Sequence, residues 1–166
     1  RKGVAARGGA ALIVYVPLDS AACSVGADDV AEEIVGEARR RGLEVELRRN
    51  GSRGALWAEP LVEAVTPLGR VAYGPVEPSD VAGLFDAGLF DAGLFDGVAH
   101  QLRLGPVDQI SYLARQQRVT FQRCGIIEPH SVSDFAAHGG FVGLKRARTM
   151  DPVSYTHLTL PTNYSV

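Results

Sequence analysis

The chain has 166 residues, of which 46% are hydrophobic and 22% charged, and these values are typical of an ordinary folded domain rather than a disordered, fibrous or membrane protein. A formal net charge of −2 gives no electrostatic reason to expect nucleic acid or an anionic membrane as partner. Cys23 and Cys124 are too far apart to form a CxxC metal or redox pair, and the sequence shows no signal peptide or membrane span, so we predict a cytoplasmic protein with free thiols.

A strand and a helix open the predicted fold. Residues 12–16 (Leu-Ile-Val-Tyr-Val) form a short apolar run rich in β-branched side chains, which predicts a buried strand. Acids at 28–29 then precede apolar residues at helical spacing, and the pattern ends at Gly42, so we predict an amphipathic helix. We interpret the three arginines at 39–41 as its solvated end rather than as an anion site.

A second strand, a hairpin and a closing helix follow. Residues 43–47 alternate between apolar and charged, as in a half-buried strand. After turn-forming residues at 50–54, the stretches 55–65 and 70–73 predict a hairpin, and a helix is expected to start near Pro78. The order strand, helix, strand, hairpin, helix predicts an α/β fold, a thioredoxin-like sandwich.

An internal repeat occupies the end of this region, where Ala82–Asp86 (Ala-Gly-Leu-Phe-Asp) is copied at 87–91 and again at 92–96. A period of five matches neither a helix nor a strand and is too short for a solenoid unit. We interpret it as a duplication or an assembly error whose extra residues lie in a loop or a frayed helix end. The alternative is a hydrophobic docking patch.

Short helices are predicted beyond a linker at 97–105. Pro106 is suited to the first position of a helix whose face carries Ile110 and Leu113. The basic stretch at 115–123 could suggest RNA contact, but the chain is acidic and no aromatic platform accompanies it, so we favour a solvated or subunit-contacting face.

A second helical stretch runs from Ser131 to Ala147. Ser131 is a candidate N-cap, and the pair Gly139–Gly140 favours two short helices over one long one.

The end of the chain has a different character. Residues 153–162 (Val-Ser-Tyr-Thr-His-Leu-Thr-Leu-Pro-Thr) look like a sequencing adapter translated in frame, so we interpret 153–166 as an artefact in which Tyr155 and His157 carry no function. The alternative is a natural C-terminal strand, because Thr, Tyr, Leu and Val favour strands.

Two groups of motifs resemble a known family. The segment 45–75, with Arg-Asn-Gly-Ser-Arg-Gly at 49–54, Glu-Pro-Leu-Val-Glu at 59–63 and Gly-Arg-Val-Ala-Tyr-Gly-Pro at 69–75, resembles the N-terminal domain of the beta subunit of NAD-dependent formate dehydrogenases. Arg-Gln-Gln-Arg-Val-Thr-Phe at 115–121, Cys-Gly-Ile-Ile-Glu-Pro at 124–129 and His-Gly-Gly-Phe at 138–141 resemble the entry into the flavoprotein core shared with the NADH-binding subunit of respiratory complex I and with NAD-reducing hydrogenase.

The resemblance implies an N-terminal fragment in several parts. A flexible start at 1–10 would precede a thioredoxin-like domain at 11–96, and residues 106–152 would be the truncated helical start of a domain that binds FMN and NAD. The complete parent would also hold a four-iron 4Fe-4S cluster and pass electrons between formate-derived reducing equivalents and NAD, alongside other subunits of a multi-subunit dehydrogenase. The fragment itself would be inactive, with no catalytic, cofactor-binding or metal residue.

Two alternatives stay open beside this one. The chain could be the equivalent subunit of complex I or of a hydrogenase, or a free-standing thioredoxin-like interaction module in which residues 115–152 have no obvious role. A thioredoxin-type redox enzyme is set aside because the sequence has no CxxC.

The resemblance also yields a candidate interface. Relatives of the module hold a two-iron cluster through cysteines spaced C-x4-C and C-x3-C, and that pattern falls here on Pro17, Ala22, Arg49 and Arg53, with Cys23 one residue out of register. Because iron–sulfur clusters need thiolates, we predict a module without a cluster. Arg49, Asn50, Ser52 and Arg53 then become a candidate interface for an anion or a neighbouring subunit's carboxylate, the alternative being that these arginines face solvent. Cys124 is predicted to be an inert thiol.

Overall fold

A five-stranded mixed sheet forms the centre of the first part of the chain. The structure, a computed structural model, describes residues 12–67, 69–88 and 100–159. The strands are β1 (Leu12–Pro17), β2 (Val45–Asn50), β3 (Val62–Thr66), β4 (Gly69–Tyr73) and β5 (Arg103–Pro106), in the order β2-β1-β3-β4-β5. β1 and β2 run parallel, and each of the other neighbouring pairs is antiparallel.

Helices connect and cover these strands. They are α1 (Ser20–Cys23), α2 (Ala27–Arg41), α3 (Val81–Asp86) and α4 (Ser111–Ala114), with 3-10 turns at Leu56–Ala58, Pro78–Asp80 and Val107–Gln109. The parallel pair β1–β2 is joined through α2, and an antiparallel hairpin then leads to α3, which is the order of a thioredoxin-like sandwich. The predicted α/β fold class is confirmed.

The sequence of α2 explains where this helix begins and ends. Asp28 and Asp29 lie in its first turn, where negative charge suits the helix dipole, and Gly42 closes it in the left-handed region with φ +67°. The arginines at its end bind acids of the same helix: Arg41 donates to the largely buried Glu37 at 2.5 Å, and Arg40 binds Glu37 at 2.6 Å. The sequence predicted a solvated helix end rather than an anion site. Arg40 is 56% exposed, whereas Arg41 is 30% exposed and also pairs with Asp86 of α3 at 2.8 Å.

The two faces of the sheet differ in chemistry. The first face packs against α2 and α3 in an apolar core that includes Val14, Val16, Val62, Val71, Val30, Ile34, Leu84 and Phe85. Each such side chain contributes about 1.5–3 kcal/mol when fully buried. Because side chains alternate along a strand, Tyr15, Glu63 and Arg70 lie on the second face. This second face is therefore partly polar, and it carries the candidate site.

Three segments differ from the sequence-based prediction. Residues 56–58, predicted within a strand, form a 3-10 turn. Arg103–Gly105, predicted within a linker, belong to β5 because their backbone groups pair with the edge of β4. Pro106 ends that strand, and the helix predicted to begin there starts only at Ser111.

Some predictions lie outside the described residues. The flexible start at 1–10 does, and so does the repeat from residue 89 onwards. The first copy of the repeat forms most of α3, where Leu84 and Phe85 are buried in the core. That copy is therefore part of the fold.

The chain divides into two compact units, the first ending at Pro129 and the second beginning at His130. The first unit thus extends past the linker predicted at 97–105. The second unit contains α5 (Val132–Ala137), α6 (Val142–Ala147) and α7 (Pro152–Thr159). None of the helices in the described ranges is long and apolar enough to cross a membrane.

Within the second unit, the predicted pair of short helices is confirmed. The Ser131 hydroxyl accepts from the Asp134 N–H at 3.1 Å, which caps α5. Gly139, with φ +78°, turns the chain before α6, and the rings of Phe135 and Phe141 meet edge to face at 5.0 Å. Residues 152–159 are helical, not the strand that was the alternative for the tail; the adapter origin of 153–166 stays a prediction.

Candidate functional site

The four candidate interface residues lie where the parallel strands end. Arg49 and Asn50 are the last residues of β2, and Ser52 and Arg53 are in the loop that follows. Pro17 is paired in register with Asn50, so the carboxyl ends of β1 and β2 are adjacent. In open α/β sheets, this edge is the usual place for ligands.

Arg49 is bound inside the chain. Its guanidinium donates to the Asp28 carboxylate at 2.6 Å, to the Pro17 carbonyl at 2.9 Å and to the Val16 carbonyl at 3.2 Å, and its side chain is 20% exposed. The hydrogen bond from Arg49 lowers the pKa of Asp28 below its ordinary value, against a smaller opposing effect of desolvation. Arg49 is therefore not the solvent-facing loop arginine of the alternative interpretation.

Ser52 links the loops that follow β1 and β2. Its N–H donates to Asp19 at 2.8 Å, and Asp19 also caps α1 through the N–H groups of Ala21 and Ala22 at 3.1 and 3.3 Å. The Ser52 hydroxyl donates to the buried Glu59 at 2.6 Å. These bonds hold the two loops together.

The Glu59 carboxyl is a buried acid of this edge. Its second oxygen accepts from the Leu61 N–H at 2.9 Å. Burial raises the pKa of Glu59 above its ordinary value, and the hydrogen bonds from Ser52 and Leu61 oppose this only in part. The ionised form of Glu59 is therefore less favourable in the folded chain than in water.

Cys23 lies at the same edge. Its Sγ contacts the Leu18 carbonyl at 3.4 Å and the Asp28 carboxylate at 3.6 Å. Desolvation, followed by the negative charge of Asp28, raises the pKa of the Cys23 thiol, which keeps it protonated at neutral pH. Both cysteines are free, and the described residues contain no group of three or more His, Cys, Asp or Glu side chains placed to hold a metal ion.

The four positions of the cysteine pattern meet in part at this edge. The Arg49 guanidinium donates a hydrogen bond to the Pro17 carbonyl, while Ala22 is fully buried in the core. Arg53 lies in the loop after β2, where the N–H of its neighbour Ser52 donates to the Asp19 carboxylate. Ala22 is therefore packed in the core, and the guanidinium groups of Arg49 and Arg53 are engaged in ion pairs.

A buried ion-pair network extends from Arg53 onto the second face of the sheet. Arg53 donates to both oxygens of Glu63, at 2.5 and 3.0 Å, and Arg70 approaches the same carboxylate at 3.3 Å. Glu63 is 1% exposed, and the side chains of Arg53 and Arg70 are 13% and 21% exposed. The guanidinium of Arg70 also stacks on the ring of Tyr15, 3.6 Å from its centroid.

Residues 118–127 lie over this network. The Asn50 amide donates to the Gly125 carbonyl at 3.0 Å, and Arg70 donates to the carbonyls of Gly125 and Ile126 at 2.7 and 2.8 Å. Arg118 donates to the Arg53 carbonyl and, at 3.2 Å, to that of Cys124. The segment is thereby attached to the sheet through its own carbonyl groups.

Gly125 is needed where this segment meets Arg53. It has φ +77°, and a Cβ placed there would lie 2.4 Å from Cγ of Arg53. Only glycine combines this backbone conformation with so close a side chain.

The sequence did not point to Glu63 or Arg70. It placed Arg118 in a basic stretch expected to be a solvated or subunit-contacting face, whereas the Arg118 side chain donates to carbonyls within the first unit. The available signal was a carboxylate inside the apolar strand Val62–Thr66, because a buried charge requires a partner. The partners lie 10 and 7 residues away, and only the folded structure shows that they reach this carboxylate. Asn50 and Arg53 were singled out, but their partners were not.

Comparison with known proteins assigns no family to the chain. No protein-family model matches the chain, and no curated protein does. Among solved structures, the wild-type thioredoxin-like 2Fe-2S ferredoxin from Aquifex aeolicus is similar, with a TM-score of 0.42 and 20% identity over 51% of this chain and 90% of that chain. Another structure of an Aquifex aeolicus thioredoxin-like ferredoxin gives a TM-score of 0.45 and 16% identity over 58% of this chain and 92% of that chain. The assignment of the thioredoxin-like fold rests on the order and direction of this chain's own strands.

Proposed function

We propose that the chain is a docking and structural module of an NADH dehydrogenase-type subunit, of the kind found in NAD-dependent formate dehydrogenase, and that it has no redox activity of its own. The other subunits of such a dehydrogenase would be its partners, in the cytoplasm, and the complete subunit would bind FMN, NAD and a 4Fe-4S cluster. The equivalent subunit of complex I or of a hydrogenase is the nearest variant of this proposal.

The attachment of residues 118–127 is the observation that carries the proposal. These residues belong to the stretch that resembles the entry into a flavoprotein core, and they are bound to the thioredoxin-like sheet by Asn50, Arg70 and Arg118. A module built to lead into a further domain needs such a fixed exit from its own fold.

The chemistry of the strand ends supports a structural role over electron transfer. Arg49 and Arg53 form ion pairs where cysteine ligands would be expected in cluster-holding relatives, and the raised pKa of Cys23 disfavours the thiolate that iron would need. The edge is thus suited to holding loops in place.

The first test is the cofactor content of the purified chain. We expect no iron, no bound FMN and no NADH–ferricyanide reductase activity. A yellow protein, or one that reduces ferricyanide with NADH, would contradict the proposal.

The second test measures docking. The probe is the FMN-binding part of a formate dehydrogenase beta subunit from which the thioredoxin-like domain has been deleted. The reporter is Trp57, the one tryptophan of the chain, which is 57% exposed and follows Arg53 by four residues in the sequence. We expect the fluorescence of Trp57 to change on titration and the two proteins to co-elute.

A pair of variants locates the contact. Gly51→Leu adds bulk in the loop where a Cβ meets nothing within 4 Å, and we expect it to weaken docking without unfolding the chain. Gly36→Leu on α2, whose Cβ meets only the end of the Arg40 side chain at 3.4 Å, serves as the control. Absence of co-elution with the corresponding parts of formate dehydrogenase, complex I and hydrogenase alike would favour the free-standing module.

A further inference from the structure

An open cavity of about 530 Å³ lies on the second face of the sheet, between β4, the loop after β2 and residues 107–126. Its polar lining consists mainly of Arg53, Arg70, Arg118, Asp108, Gln116 and Gln122. Its volume is in the range of small-molecule sites. All of these residues belong to the first compact unit.

The charges around the cavity do not balance. Three guanidinium groups line it, and Asp108 is the one carboxylate among the lining residues. The carboxylate of Glu63, which does not line the cavity, is shared between Arg53 and Arg70. Arg118 has only neutral acceptors among the described residues, namely two backbone carbonyls and the side-chain oxygen of Gln116.

The same arginines keep donors for a ligand. Within the described part of the chain, no acceptor meets Nη1 of Arg53 or Nε of Arg70. Their remaining nitrogens are fixed by Glu63 and by the carbonyls of residues 125–126, so the side chains are held in place before any ligand arrives. Such preorganisation lowers the entropic cost of binding.

Guanidinium groups are matched to oxyanions. Their planar donors bind carboxylate and phosphate oxygens in pairs, and these charge-assisted bonds are stronger than neutral ones. We propose that this cavity is a binding site for a small oxyanion, a carboxylate or a phosphate, held by Arg53, Arg70 and Arg118. The inference does not depend on the proposed function, because it concerns an open cavity lined by residues of the first unit alone.

The test is a titration of the full chain with acetate, inorganic phosphate and pyrophosphate, each against potassium chloride at the same ionic strength. The readout is the NMR shift of the arginine Nε–H groups. We expect saturable shifts at Arg53, Arg70 and Arg118, with the affinity rising with the charge of the probe. Shifts that follow ionic strength alone, or that are equally large at the exposed Arg115, would overturn the proposal.

Two variants and a control test the assignment of residues. Asp108→Asn removes an exposed negative charge that has no hydrogen-bond or ion-pair partner among the described residues. It should tighten pyrophosphate binding about two- to sixfold, the range that Coulomb's law gives for unit charges about 10 to 4 Å apart in water. Arg118→Gln should weaken it about tenfold. Arg115→Gln removes an arginine that, among the described residues, is bonded only to the Ser111 carbonyl, and it should leave affinity unchanged.

These outcomes remain decisive if Arg118→Gln does not fold. Asp108→Asn alters an exposed side chain, so its effect can be measured independently. Unchanged or weaker binding in Asp108→Asn would then refute an anion site in this cavity.

Discussion

Replacing Glu63 by Gln should destabilise the first unit, because Glu63 is a buried carboxylate that Arg53 and Arg70 share. The substitution keeps the volume of the side chain, so it opens no cavity, but it removes the negative charge that faces Arg53 and Arg70. Removing one partner of a buried ion pair costs about 3–5 kcal/mol. Both arginines remain partly exposed and keep other contacts, so we expect the lower end, about 3 kcal/mol.

The assay is urea unfolding followed by far-UV circular dichroism, with the fluorescence of Trp57 as a local probe. Glu46→Gln on β2 is the matched control, because Glu46 pairs with Arg48 at 2.7 Å while their side chains are 47% and 35% exposed. An exposed pair of this kind contributes at most about 1 kcal/mol. A loss below about 1 kcal/mol for Glu63→Gln, or equal losses for the two variants, would refute the account of a buried network.

Three further substitutions have defined outcomes in the same unfolding assay. Gly125→Ala should lower the free energy of unfolding by about 2 kcal/mol, because Gly125 has a positive φ and its Cβ would lie 2.4 Å from Cγ of Arg53. Gly143→Ala, whose Cβ would meet nothing within 4 Å, should cost nothing, and equal effects of the two substitutions would contradict this. Burial raises the pKa of Glu59, so the folded state takes up its proton at higher pH than the unfolded state, and this group stabilises the fold as pH falls through its folded pKa. Glu59→Gln should therefore gain stability relative to the natural chain at neutral pH, and the gain should shrink towards about pH 4; a pH-independent difference would disprove it. Leu84→Ala, at a fully buried residue of the first repeat copy, should cost about 2–5 kcal/mol, against no more than about 0.5 for the exposed Leu56→Ala, and a small loss would place this copy outside the core.

The parts of the fold that the sequence predicted are those with local signals. The apolar run of β1 and the capped, amphipathic pattern of α2 each carry their own periodicity and end markers. The Ser131 cap and the glycine bend between α5 and α6 are local in the same sense. The order of these elements was then enough to indicate a thioredoxin-like sandwich.

The parts that it missed depend on long-range pairing. β5 has only four residues, and it is a strand because its backbone completes the edge of β4. The partners of Arg53 and Arg70 are set by strand register and by a segment more than fifty residues away along the chain. Neither composition nor periodicity reports such contacts. Arg53 therefore looked like a surface residue in a turn, whereas its side chain is only 13% exposed.

The polar second face explains how an irregular segment can be held against a sheet. Residues 118–127 contain no long helix or strand to satisfy their own carbonyl groups, and a carbonyl removed from water requires a donor. Asn50, Arg70 and Arg118 supply those donors, and Glu63 balances part of the positive charge that they bring. Two of the four residues first considered for contact with a partner, Arg49 and Arg53, are therefore occupied by the chain's own carboxylates. Contact with another subunit at this edge therefore has to use neighbouring side chains, and Leu56 and Trp57, which follow the loop in the sequence, are large apolar side chains that are 64% and 57% exposed.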